Sequence, residues 1–173
     1  MNLVAFVPAD DHWAEESWTA PGQVEALASH FESWEPSVLG ILHALDGTMR
    51  WALYDREPLP AWSFGRVTLL GDAAHAMLPH QGQGAVQSIE DAYVLARCLE
   101  RAAPEDVNEW LKLYERVRKP RAERVQQASR VTGEIYRLAD AEEQERLVPT
   151  ALSTRGEWLW NYDADRAFQE ALG

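Results

Sequence analysis

Residues 66–91, RVTLLGDAAHAMLPHQGQGAVQSIED, carry the side chains whose types and spacing could do chemistry. An apolar run over 66–70 stops at Gly71 and Asp72. This puts a carboxylate at the carboxyl end of a short strand, where open α/β sheets bind ligands. Gly71 permits a tight turn and a close backbone approach. A carboxylate only accepts hydrogen bonds, so Asp72 suits ligand hydroxyls such as those of a sugar or sugar alcohol. Pro79 and the run Gly82, Gln83, Gly84 then form a loop with little side-chain cover, whose N–H groups can face a planar ligand at contact distance. The loop opens into a helix, and a helix amino end carries about half a positive charge. The expected ligand is hydroxylated at one end and able to carry negative charge at the other.

Other chemistries fit the same residues less well. His75 and His80, with Asp72 nearby, are not spaced to share a helix face, and the segment reads as a loop, so no metal is expected. Ser88, His75 and Asp72 lack the strand–Gly-x-Ser-x-Gly–helix elbow of a hydrolase nucleophile. Cys98 falls inside a predicted helix and reads as core. His80, beside the glycine loop, either touches a substrate or is a loop histidine bonded to backbone.

The elements that must position these residues follow from periodicity. Residues 3–7, LVAFV, read as a buried strand. Helices are expected over 21–34, with Val24, Leu27, Phe31 and Trp34 in phase, and over 36–46, opened by Pro36 and closed by Asp46 and Gly47. Residues 48–54 alternate with period two and read as a strand, and 55–62 as a loop. Residues 66–70 show no alternation, which suggests a strand buried on both faces in a parallel sheet. In the helix over 84–102, Ile89, Ala92, Tyr93, Ala96 and Leu99 form the expected buried side. Another helix runs over 105–119 with Val107, Trp110, Leu111, Tyr114 and Val117 in phase. Pro120 should kink or break it before helix resumes to about 139, with Val125, Val131, Ile135 and Leu138 loosely periodic. Glu142, Glu143 and Glu145 read as a solvated face, and the aromatic tail over 156–168 as a segment that docks back.

Composition bounds the partners. The chain has 173 residues and a net charge of −12, which argues against nucleic acid and against an anionic membrane surface. No apolar run approaches the ~18 residues of a membrane span. The amino terminus lacks the pattern of a signal peptide, and the single Cys98 fits a reducing compartment, so a cytoplasmic protein is expected. The 8 Trp need somewhere to bury, and a site for a flat ligand is one place.

The string Gly71, Asp72, Ala73, Ala74, His75, Met77, Pro79, Gly82, Gln83, Gly84, Ile89, Glu90, Asp91 resembles the second flavin-binding motif of FAD-dependent aromatic hydroxylases, the salicylate hydroxylase-like flavoprotein monooxygenases. The flanks RWALYDREPLPAW and WLKLYERVRKPRAERVQ look similar too. The resemblance implies an α/β (α+β) fold. It would comprise part of a β-sheet substrate domain over 1–60, the last strand, flavin loop and helix of a Rossmann-like FAD-binding domain over 61–103, and a helical region over 104–173. It implies that Asp72 bonds the ribityl chain of FAD. Gly71, Ala73, Pro79, Gly82, Gln83, Gly84 and Ala85 would line the flavin, with backbone N–H groups and the helix dipole favouring its reduced, anionic form. NADH or NADPH would reduce the flavin, and oxygen would then hydroxylate a small aromatic substrate. Ala76 stands where relatives often have Pro. Val86 stands where they often have Gly, and would crowd the flavin or face the core.

The family's Gly-x-Gly-x-x-Gly fingerprint does not occur: the one Gly-x-Gly is Gly82–Gly84, and its third position falls on Gln87. The chain is therefore expected to correspond to the carboxyl-terminal portion of a hydroxylase. It would require an amino-terminal FAD domain or a second chain, with a non-catalytic partner-binding or regulatory module as the alternative. Strands 3–7, 48–54 and 66–70 would be left with open edges, favouring self-association.

Overall fold

The computed structural model describes residues 3–7, 17, 19–138, 140–153 and 156–173. Two units emerge, Met1–Leu53 and Tyr54–Gly173.

In the first unit, β1 (Ala20–Gly22) pairs antiparallel with β2 (Thr48–Arg50), Ala20 opposite Arg50. Helices α1 (Val24–Ser29) and α2 (Pro36–His43) close on Ala28, Phe31 and Leu42, with Leu27, Val38, Leu39 and Leu45 around them. Pro36 opens α2 as expected, because its missing N–H falls where a helix needs none. Two expectations fail here. Residues 3–7 form no strand, since they have no ladder partner among the described residues, and Leu3, Val4, Phe6 and Val7 are exposed. Residues 20–22 are strand rather than the start of α1.

In the second unit, β3 (Ser63–Phe64) and β4 (Val67–Thr68) form a minimal antiparallel pair around Gly65. The unalternated run over 66–70 is therefore not a parallel core strand: Val67 is 63% exposed. The apolar run instead leads into the turn at Gly71. A short helix α3 (Asp72–His75), a 3₁₀ turn at Pro79–Gln81, and α4 (Gly84–Leu99) follow. Then come α5 (Val107–Tyr136), α6 (Ala141–Ser153), a π-helical turn at Gly156–Trp160 and α7 (Ala164–Leu172).

Helix α5 is one uninterrupted element of 30 residues, about 45 Å long. The break allowed for at Pro120 does not occur. Pro120 sits on the exposed side, where water can satisfy the carbonyl that lost its partner. The core of the unit joins α4, α5 and α7 through Trp62, Val94, Cys98, Tyr114, Ala122 and Phe168. Burial pushes the Cys98 thiol up to about 11, as befits an inert core residue.

The buried side of α4 is Gln87, Asp91, Val94 and Cys98, not the apolar row expected from periodicity. Ile89 is 69% exposed, and Tyr93 and Leu99 are exposed as well. A polar pair can occupy a core face when a cation from α5 meets it, and a count of apolar residues is blind to that. The acidic row Glu142, Glu143, Glu145 is solvated as expected. The tail docks as expected: Asp163 caps α7 by accepting from the N–H groups of Asp165 and Arg166, and Phe168 is fully buried. Phe168→Ala should cost about 3–5 kcal/mol. Thermal or urea unfolding measures it, and a near-neutral result would mean that α7 does not hold the unit together.

Candidate flavin site

The loop after β4 is held from behind by side chains of α5. Gln126 Nε2 donates to the carbonyl of Ala76 at 2.9 Å, and Ser129 Oγ donates to that of Leu78 at 2.5 Å. From the loop, Gln81 Nε2 reaches back to the Ala128 carbonyl at 3.0 Å and to Thr132 Oγ1 at 2.7 Å. His80 lies against Gly133, where a β-carbon would come within 2.7 Å of its ring. It also meets Tyr136 edge-on. Burial, then the charge of Arg137, lower the His80 pKa, so the ring is neutral at pH 7.

The turn at the base of the loop is held by charge. Gly71 has φ of 61°, and a β-carbon there would meet Ser88 Oγ at 2.9 Å. Its N–H donates to Asp91 Oδ2 at 3.0 Å. The same oxygen lies 2.6 Å from His75 Nε2, and Arg118 Nε donates to Oδ1 at 2.8 Å. His75, Asp91 and Arg118 are all fully buried. Arg118 also bonds Gln87 Oε1 at 2.8 Å and pairs with Glu90 at 2.7 Å. Arg121 bonds Glu90 as well, together with the carbonyls of Trp158 and Leu159. Burial alone would raise the Asp91 carboxyl. The His75 hydrogen bond, the Arg118 charge and hydrogen bond, and the Gly71 N–H outweigh it and hold Asp91 below the ordinary carboxylate range.

What this scaffold leaves open is a polar, bare-backbone face. Asp72 is exposed, and its carboxylate bonds no described residue. Gly82 is left-handed at φ 63°, and neither it nor Gly84 has any atom within 4 Å of where a β-carbon would stand. Ala73, Pro79, Ala85 and Val86 are exposed as well, so Val86 does not face the core. Helix α4 begins at Gln83 with no side-chain cap and no acidic residue in its first turn. The first N–H groups of a helix need acceptors, and here no side chain supplies one from the cap position. A free carboxylate, a cradle without β-carbons and an uncapped amino end fit a hydroxylated, flat, electron-accepting group such as FAD.

The structure thus exposes Asp72, Ala73, Pro79, Gly82 and Ala85 along the segment from α3 to the first turn of α4. It buries Gly71 as the hinge and turns Gln83 inward, 2% exposed. His75 is turned onto Asp91 and His80 onto Gly133. Among the described residues, no three His, Cys, Asp or Glu side chains converge on a metal position. Sequence reasoning missed the supporting roles of Asp91, Arg118, Glu90, Gln126 and Ser129. Their signal is a charged or polar residue in phase with core residues, as Asp91 is with Val94 and Cys98.

A family model described as an FAD binding domain matches residues 40–129. The chain belongs to the FAD-dependent aromatic hydroxylase family. It is 43% identical to a salicylate hydroxylase of Pseudomonas putida over 99% of this chain and 42% of that one. A 3-amino-4-hydroxybenzoate 2-monooxygenase of Streptomyces platensis is 42% identical over 94% of this chain and 42% of its own. Among solved structures, a salicylate hydroxylase substrate complex superposes with a TM-score of 0.82 at 38% identity, covering 91% of this chain and 39% of that one. CtdE in complex with FAD and its substrate gives 0.78 at 27% identity, covering 94% and 40%. The chain therefore spans about two-fifths of the length of the curated relatives it matches. The hydroxylase family uses FAD, and the open loop described above fits that cofactor.

The Asp91 centre carries a pH dependence. A carboxyl held below its unfolded value adds stability above about pH 4 and loses it as pH falls through the folded value. Asp91→Asn should destabilise at neutral pH by about 3–5 kcal/mol, the cost of leaving Arg118 buried without its partner. It should also flatten the decline toward acid. Thermal midpoints measured from pH 7 to pH 3 test both, and parallel curves for the two proteins would contradict the assignment.

Proposed function

We propose that this chain supplies the flavin-contacting portion of an FAD-dependent monooxygenase that hydroxylates a small aromatic substrate with NADH or NADPH and oxygen. The observation that carries the reading is the exposed Asp72, next to the Gly71 turn that packs on Ser88 and Asp91 of α4, together with the open backbone of Gly82 and Gly84 at the uncapped start of that helix. The bound flavin supplies the redox and oxygen chemistry. Asp72 accepts hydrogen bonds from the hydroxylated chain of the cofactor. Gly71, Ala73, Pro79, Gly82, Gln83, Gly84 and Ala85 form or shape the surface on which the ring rests. The first turn of α4 favours negative charge on what binds there. His80, neutral and turned toward α5, braces the loop in this reading, with substrate contact left to the longer protein. No helix among the described residues is long and apolar enough to cross a membrane, which accords with work in the cytoplasm.

A second reading is favoured by one observation: Val86, Ile89 and Tyr93 make an exposed apolar row on α4. Such a row is what a partner chain would cover, so a non-catalytic module docked on another protein is the alternative. Flavin titration separates the two, using the chain alone and joined to an amino-terminal nucleotide-binding region of a relative. Uptake of FAD by the joined protein is expected. Asp72→Ala in that protein should weaken FAD by about 1–3 kcal/mol, the cost of a lost charged acceptor. If neither form takes up flavin, the catalytic reading fails and the docking module stands. If Asp72→Ala leaves affinity unchanged, Asp72 is not a ligand.

A further inference from the structure

A second opening lies between α5 and α7, away from the loop residues assigned to flavin. It has a volume of about 730 Å³ and is lined by Arg116, Arg121, Arg124 and Arg166, with Trp158 and Tyr162. Glu170 is the one carboxylate among the described lining residues. This concentration of cations stands in a chain of net charge −12. Clefts lined by one sign of charge focus the field and draw in ligands of the other sign.

The arginines do not have equal tasks. Arg121 is nearly buried and saturated by Glu90 and by the carbonyls of Trp158 and Leu159, so it braces the π-helical turn. Its guanidinium lies 4.3 Å from the Tyr162 ring centre. Arg116 and Arg124 are exposed, and neither bonds a carboxylate or carbonyl among the described residues. They stand two turns apart on one face of α5 with Pro120 between them, an arrangement of like charges that does nothing for the helix. Arg166 meets Glu170 only at 3.9 Å. The Arg124 guanidinium lies 4.1 Å from the Trp158 ring centre, which makes a flat, cationic stacking surface beside the unpaired charges.

We propose that this groove binds a nucleoside diphosphate group. Guanidinium forks grip phosphate oxygens in pairs, and Arg116, Arg124 and Arg166 against the single Glu170 match a dianion or more. The base stacks on the Arg124–Trp158 face, since aromatic and guanidinium planes hold any nucleobase. The volume is within the ~300–1,000 Å³ of small-molecule sites. The same chemistry is carried by a nicotinamide dinucleotide and by FAD, and the two are separable by competition.

Isothermal titration of the chain with ADP tests the proposal, with adenosine and inorganic pyrophosphate as part-probes. ADP is expected to bind one per chain and more tightly than either part. The exposed double variant Arg116→Ala/Arg124→Ala should weaken ADP at least tenfold while leaving the thermal midpoint of the chain within a few degrees. Displacement of ADP by NADH would mark the nicotinamide nucleotide as the source, and displacement by FAD would mark the flavin nucleotide. No ADP binding, ADP binding unmoved by the double variant, or pyrophosphate binding as tightly as ADP would overturn the proposal. Because the flavin loop is read through Asp72→Ala and this groove through Arg116 and Arg124, either assignment can fail without the other.

Discussion

The second unit depends on one buried carboxylate. Asp91 receives the Gly71 N–H, His75 and Arg118, so a single side chain ties the strand-end turn, the helical turn after it, and α5. Removing any donor would leave charge in a dry interior, where uncompensated ions cost several kcal/mol. The position of Asp72 relative to α4 is therefore set by electrostatics and not by packing alone. Arg118 passes the constraint on to Gln87, Glu90 and Tyr162, which joins the turn to the carboxyl-terminal segment.

Helix α5 gives that centre its reach. It is long enough to meet Asp91 with Arg118 and the loop carbonyls with Gln126 and Ser129. It also carries three of the four arginines of the second groove, Arg116, Arg121 and Arg124. One continuous helix thus serves the core, the loop after β4 and the cationic opening, with Pro120 on its exposed side. The apolar row on α4 faces outward in this chain.

Much of the site was legible in the residues themselves. The string from Gly71 to Asp91 carried the resemblance to the hydroxylases' flavin motif, and the structure leaves Asp72, Gly82 and Ala85 of that string exposed. The helices around Pro36 and after Gly84 and the docking of the tail were legible because caps and spacing are local properties. The strands were legible only in part: β2 lies within the expected 48–54 and β4 within 66–70, both shorter than expected. Residues 3–7 are apolar enough for a strand, but a strand exists only with a partner, and partnership is not encoded locally. The phase of α4 was misread because Gln87 and Asp91 are buried for the sake of Arg118, a residue 27 positions away from Asp91. The roles of Gln126 and Ser129 were hidden for a related reason, since each bonds a carbonyl that any residue type could have provided.

The loop and the turn beneath it are anchored by different chemistries. Gln126, Ser129 and Gln81 are neutral, so their grip on the loop ignores acidity and ionic strength, but the His80 ring beside them takes up a proton as pH falls below the histidine range. The turn hangs on ions. As conditions become acidic, the hollow should therefore change in stages, the rim around Gly82 gaining a charge at His80 well before the floor at Gly71 loses that of Asp91.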